Sequence, residues 1–172
     1  MAPEAERKVL AETKPRLLVI DDAALNAEAR PEHLDAPITP IDAFFVRNNG
    51  LLPDVAPAQT DAWTLTIDGE VERPQRWTLA ELKQQFEVVS VTAVLECAGN
   101  GRSGFDPPTD GLQWANGAVA CGRWEGVRLA DVLAASAPKP SAVYTGHYSP
   151  DVMADGSGRP ALSRGLPLAK AM

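Results

Sequence analysis

The chain has 172 residues, which suits one domain and allows a sizeable core. At 45% hydrophobic and 23% charged it has the composition of a folded protein rather than a disordered one. A net charge of -7 argues against nucleic acid or an anionic membrane surface as the main partner. No apolar run is long enough to span a bilayer. The 15 prolines and 13 glycines predict many turns and few long helices. Two cysteines, Cys97 and Cys121, do not make a disulfide framework. The N-terminus lacks the basic region and apolar stretch of a signal peptide, which points to the cytoplasm, or to the periplasm if a signal has been removed.

In chain order, Pro3 to Thr13 reads as a short charged surface helix and Leu17 to Ile20 as a brief strand stopped by Asp21 and Asp22. Asn26 to Pro40, with three prolines, reads as an extended arm over the surface. Ile41 to Gly50, IDAFFVRNNG, joins an apolar Phe44-Phe45-Val46 to a polar Arg47-Asn48-Asn49 tip. Asn-Gly is a strong turn signal, so this is either a strand end with a polar turn or a strand that anchors a cluster of donors. Trp63 to Val71 alternates apolar and polar residues and turns at Asp68-Gly69. Thr78 with Glu81 forms a capping box ahead of a short helix to Phe86, whose Leu79, Leu82 and Phe86 share one face.

Val88 to Gly104, VVSVTAVLECAGNGRSG, is the stretch around which the chain is organised. Its β-branched and apolar weight predicts a buried strand that ends at Cys97. The glycines after it allow a tight turn and close approach of backbone to a ligand. The thiol is thus expected beside backbone N–H groups, the Asn100 amide and Arg102. It reads either as a small buried hydrophobe or as a thiolate, nucleophile or soft metal ligand, favoured by nearby positive charge.

Further on, Gly111 to Trp124 alternates small and large residues. Gly117 and Gly122 there suggest close backbone approach, and Cys121 among small residues reads as packing. Leu129 to Ala135 reads as a helix closed by Pro138, and Ser141 to Tyr148 as a strand. Gly156-Ser157-Gly158 lacks the ending of a phosphate loop. Leu166 to Met172 looks like a helix just starting, with no cap and no return to a sheet, so the chain is expected to be a piece of a longer protein. Trp114 and Trp124 read as core or rim aromatics, and Arg123 and Arg128 as a solvated face.

Three motifs together resemble the molybdenum-cofactor domain of the sulfite oxidase family: FFVRNN at Phe44 to Asn49, LECAGNGRS at Leu95 to Ser103, and LQWANGAVACGRWEGVRLADVL at Leu112 to Leu133. PLAKAM at Pro167 to Met172 also resembles part of that domain. The resemblance implies an α+β fold of mixed β-sheets and short helices, truncated at the C-terminus, with an N-terminal arm over 1–25 and an incomplete molybdopterin-binding domain over 26–172. It implies a molybdenum–molybdopterin cofactor and oxidation of sulfite to sulfate by oxygen-atom transfer. It also implies an electron acceptor such as a cytochrome c, and a homodimer in the full-length protein.

Carried over residue by residue, Cys97 matches the thiolate ligand of molybdenum, a soft donor suited to a metal already held by sulfur. Arg47 matches the arginine of the oxyanion pocket. A charge pair at about 4 Å is worth about 4 kcal/mol at an effective dielectric of about 20, enough to bias an anion toward the metal. Phe45, Val46, Arg47, Asn48 and Asn49 match the stretch that wraps the cofactor. Arg102 and the N–H groups of the turn are expected to hold the Cys97 thiolate charged.

Two positions depart from the family. Asn49 stands where animal enzymes have histidine, and Tyr148 where they have an aspartate that contacts the cofactor, for which Asp151 and Asp155 are the nearby substitutes. Reduction of nitrate or an S-oxide on the same cofactor is the second reading, and a non-catalytic truncated module the third. A cysteine hydrolase ranks below these, because His33 and His147 are the only histidines and neither sits in a catalytic motif.

Overall fold

The computed structural model describes residues 2–50, 57–153 and 155–172. The stretch read as Asp151 to Arg164 therefore has one position, 154, outside the described residues. The elements are α1 (Glu4–Thr13), β1 (Leu17–Asp21), β2 (Asn26–Ala29), β3 (Thr64–Ile67), β4 (Gln75–Thr78), α2 (Leu79–Gln85), β5 (Val88–Glu96), β6 (Val119–Val127), α3 (Leu129–Ser136), β7 (Tyr144–Tyr148), β8 (Ser163–Pro167) and α4 (Leu168–Ala171). Short 3₁₀ turns lie at Pro31–His33, Pro57–Ala62 and Arg102–Gly104. Among the described residues the strands pair two by two: β1 with β2, β3 with β4, β5 with β6 and β7 with β8. Short helices with small sheets are the α+β class that the sequence predicts.

The chain divides into two compact units. The first comprises Met1–Leu52, Thr92–Arg123 and Pro150–Leu162. Its first hairpin sets Leu17 opposite Ala29, Leu18 opposite Glu28 and Val19 opposite Ala27, with an irregularity between Val19 and Asp21. Asp21 closes the hairpin by accepting the N–H groups of Ala23 at 2.9 Å and Ala24 at 3.3 Å. Leu25 takes a φ of 54°, and burial of its side chain helps to offset that left-handed geometry. Ala2 and Leu10 from the α1 end pack with Leu17, Leu25, Ala27 and Ala29. Every residue of β2 is buried. This corrects the first part of the reading of Asn26 to Pro40 as a surface arm: Asn26–Ala29 is an inner strand, while Arg30 to Ile38 is exposed or half-buried as expected. Its small alanines admit the neighbouring backbone of Val46 and Gly117, and its polar Asn26 and Glu28 find partners on the same segments.

The second unit comprises Pro53–Val91, Trp124–Ser149 and Ser163–Met172. β3 and β4 form the hairpin expected from the alternating pattern, running from Thr64 opposite Thr78 to Ile67 opposite Gln75. Gly69 in the connecting turn has a φ of +83°, which a residue with a Cβ tolerates poorly. The capping box is formed: Thr78 Oγ1 accepts the Glu81 N–H at 3.1 Å, and the Glu81 carboxylate accepts the Thr78 N–H at 2.7 Å. α2 then drops Leu82 and Phe86 onto Trp77 and Val132, with the Phe86 ring edge-on to Trp77 at 5.7 Å. Arg128, at the start of α3, pairs at the surface with Glu87 and Asp131, the solvated role expected of it.

β5 is a strand, as predicted, but not a buried one. Val91 is 56% exposed and Val94 64%, on opposite faces of the strand, and eight of its nine residues are exposed. An apolar β-branched run dictates extended backbone through side-chain shape. Cover for that run needs a third element, and β6 supplies only an edge partner.

Candidate functional site

The FFVRNN segment is tied down from three directions. Val46 exchanges both backbone hydrogen bonds with Ala27 of β2, at 3.0 and 2.8 Å. Lys14, just past α1, donates its ammonium to the carbonyls of Ile41 at 2.5 Å and Phe44 at 2.9 Å. Burial pulls the Lys14 pKa below its ordinary value, and the Asp42 charge opposes that only in part. Phe45 is buried and meets Trp114 edge-on at 6.3 Å. The polar tip then leaves the core. Arg47 is exposed, and its guanidinium donates to the Asn26 side-chain oxygen at 3.4 Å and to the Asn48 carbonyl. The Asn48 N–H donates to the same Asn26 oxygen at 2.6 Å.

The cysteine comes from the end of β5. Its N–H donates to the Ala118 carbonyl at 2.9 Å, and its own carbonyl accepts the Asn100 N–H at 2.9 Å. Asn100 acts as a bracket: its side-chain oxygen accepts the Ala118 N–H at 3.0 Å and its amide donates to Glu96 at 3.0 Å. Gly101 takes a φ of +80°, which turns the chain so that its N–H reaches the Ala115 carbonyl at 2.5 Å and the Ser103 N–H reaches that of Trp114 at 2.9 Å. The half-buried Cys97 thus packs against the cluster of Phe45, Trp114, Ala118 and Ala120.

The expectation for Arg102 is corrected. Its guanidinium donates to the Leu112 carbonyl at 3.1 Å, and a Cβ on either Gly99 or Gly111 would run into it. The arginine is a strut within its own loop. The turn's N–H groups are largely spent too: those of Asn100, Gly101 and Arg102 go to the carbonyls of Cys97, Ala115 and Gly99. A tight turn satisfies itself first, because a buried N–H without a partner is costly.

β2 lies beneath both segments. Backbone joins backbone there: Ala27 bonds Val46, and the Ala29 N–H donates to the Gly117 carbonyl at 3.0 Å. Side chains reach the same two segments: Asn26 holds Arg47 and Asn48, and the buried Glu28 carboxylate accepts the Gly117 N–H at 3.2 Å. A Cβ at Gly117 would overlap the Ala29 carbonyl, so only glycine permits this approach. Gly117 precedes Ala118, which holds Cys97. The arginine loop and the cysteine loop therefore hang on one four-residue strand.

Of the sequence-predicted residues, the fold brings Phe45 and Cys97 into one cluster and carries Val46, Arg47 and Asn48 on the same anchored segment. Asn49 follows them, half-buried. Tyr148 is 75% exposed and belongs to the second unit. Asp155 serves its own loop: hydrogen bonds from the side chain and backbone of Ser157, then Arg159, hold its carboxyl at about 2. Asn26, Glu28, Asp21 and Lys14 were not anticipated. The available signal was the Asn-Ala-Glu-Ala alternation, a period-2 pattern hidden in a proline-rich stretch. A cavity of about 270 Å³ lined by Arg7, Leu10, Lys14, Leu17 and Val19 lies elsewhere, and no predicted site residue lines it.

One atom is left over. The side-chain nitrogen of Asn48 is buried and has no hydrogen-bond partner among the described residues. A buried amide donor of this kind calls for an acceptor. Next to an exposed guanidinium, on the segment that meets the cysteine's cluster, it fits a polar, anionic group rich in acceptors. Among the described residues no three of His, Cys, Asp or Glu gather as a metal centre, so further donors would have to arrive with such a group.

These features leave a buried amide donor and an exposed guanidinium on one anchored segment, and comparison with known proteins places the chain among the molybdopterin-binding oxidoreductases. Residues 52–172 match the oxidoreductase molybdopterin binding domain, and the chain belongs to that family. The cofactor that membership implies is the molybdenum cofactor. The chain is 40% identical over 122 residues to a sulfite oxidase of Gallus gallus, covering 69% of this chain and 26% of that protein. It is 39% identical over 98 residues to an NAD(P)H nitrate reductase of Hordeum vulgare, covering 56% of this chain and 11% of that one. The chain thus spans about a quarter or less of these relatives' length. The sulfane dehydrogenase SoxCD of Paracoccus pantotrophus superposes on all of this chain with a TM-score of 0.73 at 22% identity, over 42% of its own length, and shares the fold. No helix among the described residues is long and apolar enough to cross a membrane.

Proposed function

We propose that the protein oxidises sulfite to sulfate, with Cys97 as the chain's thiolate ligand to molybdenum and Arg47 as the anion-binding cation. The observation that carries this reading is the shared cluster of Cys97 and Phe45, with the Arg47 guanidinium two residues further along an anchored segment. The likeness to sulfite oxidase supports it. Phe45 to Asn49 would line the cofactor, and the unpartnered Asn48 amide would donate to it.

When bound, the cofactor supplies oxygen-atom transfer and takes up two electrons. The chain's residues do the rest. Arg47 draws in the oxyanion and orients it by charge-assisted hydrogen bonds. Cys97 contributes a soft donor held half-buried by Ala118 and Asn100, where water competes poorly. The net reaction joins sulfite and water to give sulfate, two protons and two electrons, which pass to an acceptor such as a cytochrome c. A homodimeric full-length protein belongs to the same proposal.

The test uses the full-length holoprotein. Sulfite-dependent reduction of ferricyanide should disappear in Cys97→Ser together with the wild-type molybdenum spectrum. Retention of both would refute the role of Cys97. A second reading, reduction of nitrate or an S-oxide, is favoured by the likeness to nitrate reductase. Comparing turnover of sulfite, nitrate and sulfoxides separates the two, since both chemistries use a cation at the metal. Lack of molybdenum and pterin in the purified full-length protein would leave the non-catalytic reading.

A further inference from the structure

We infer that Asn26 is the positioning residue of the anion site, locked in place by Asp21, and that it sets the aim of Arg47 and the placement of Asn48. This rests on the proposed roles of those two residues and names what holds them. Asn26 is 1% exposed, yet it is a polar side chain beside a core of leucines and alanines. Such a residue is costly unless every polar atom is engaged. Its amide nitrogen donates to an Asp21 carboxylate oxygen at 2.8 Å, which fixes which end of the amide faces which way. Its oxygen is thereby turned toward the site, where it accepts the Asn48 N–H at 2.6 Å and the Arg47 guanidinium at 3.4 Å.

The order of charges matters. The Asp21 carboxylate polarises the amide, so its far oxygen becomes a better acceptor for a cation. Asp21 itself sits in a turn whose Ala23 and Ala24 N–H groups point at it. The guanidinium is therefore held by two neutral oxygens, the Asn48 carbonyl and the Asn26 amide oxygen, rather than by a carboxylate. A carboxylate in direct contact would neutralise the charge that an incoming anion needs. An amide orients it and leaves it available. Arg47 remains exposed, as that role requires.

The test combines kinetics with hydrogen exchange on the full-length holoprotein. Asn26→Ala should raise KM for sulfite about tenfold, the scale of one hydrogen bond to a charged group, with kcat changed less than about threefold. In an Arg47→Gln background the same substitution should add less than about twofold, because the two residues act as a unit. Exchange of the Asn48 amide should quicken about tenfold in Asn26→Ala whatever the substrate proves to be. Asp21→Asn, on the partly exposed turn, should shift KM and exchange in the same direction by less, and serves if Asn26→Ala does not fold. Unchanged Asn48 exchange, or equal effects on KM in both backgrounds, would overturn the inference. If Arg47→Gln leaves KM unchanged while Asn48 exchange still quickens in Asn26→Ala, the anion-binding reading fails and the positioning of Asn48 stands.

Discussion

Glu28 and Gly117 lie 89 positions apart in sequence, and the carboxylate of the first accepts the backbone N–H of the second at 3.2 Å. That bond fastens the segment whose Ala118 holds Cys97 to the strand that also fastens the arginine-bearing loop. Gly117→Ala should cost about 3 kcal/mol, since the added Cβ would collide with the Ala29 carbonyl and backbone cannot easily yield. Glu28→Gln keeps an acceptor and should cost less than Glu28→Leu, which strands a buried N–H at about 1–3 kcal/mol. Denaturant midpoints of the three variants check the order. A Gly117→Ala protein as stable as wild type would refute the close approach.

Asp21 makes stability depend on acid. Burial works to raise its pKa, but hydrogen bonds from Ala23, the Asn26 amide and Ala24, with the Arg47 charge, outweigh it and hold the pKa below 3.8. A depressed carboxyl pKa contributes stability that is present above the ordinary value and is lost as pH falls through the folded-state value. Urea midpoints measured downward from pH 7 should therefore fall below about pH 4, and the fall should be shallower in Asp21→Asn. Parallel curves for the two proteins would remove Asp21 from the acid transition.

Trp114 is 1% exposed and closes the cluster on which Cys97 rests. Trp114→Ala should cost about 4 kcal/mol through lost burial and an unfilled cavity. Phe105, 62% exposed on the same loop, should change stability by less than about 0.5 kcal/mol when replaced by alanine. Equal costs at the two sites would mean that the cluster is not the support described.

Arg102→Gln separates strut from activator. Glutamine carries neither the charge nor the planar fork that lies against Gly99 and Gly111 and bonds Leu112, so stability should fall by about 1 kcal/mol. Alkylation of Cys97 should proceed at the wild-type rate, because the guanidinium is engaged elsewhere. A slowed alkylation would restore Arg102 as the thiolate's partner.

Local chemistry was readable residue by residue. The Thr78–Glu81 box, the Asp68-Gly69 turn, the helices at Glu4–Thr13 and Leu129–Ser136 and the strand character of Val88–Glu96 all follow from propensities and caps acting within a few positions. The motifs around Arg47 and Cys97 pointed to the family, and the match over 52–172, which takes in Cys97 and not Arg47, shows that family.

Burial is where the reading failed. Asn26–Ala29 looked like surface and is core, while Val88–Glu96 looked like core and is largely exposed. Whether a side chain is covered depends on partners distant in sequence, and no local pattern carries that information. The amide of Asn26 and the carboxylate of Glu28 became site residues only once Val46 and Gly117 had been brought against the same strand. Sequence by itself thus determined most of the local elements, β2 excepted, and which chemistry the chain carries. Tertiary structure decided which polar groups are buried together, because that choice is made by long-range hydrogen bonds between segments that share no local signal.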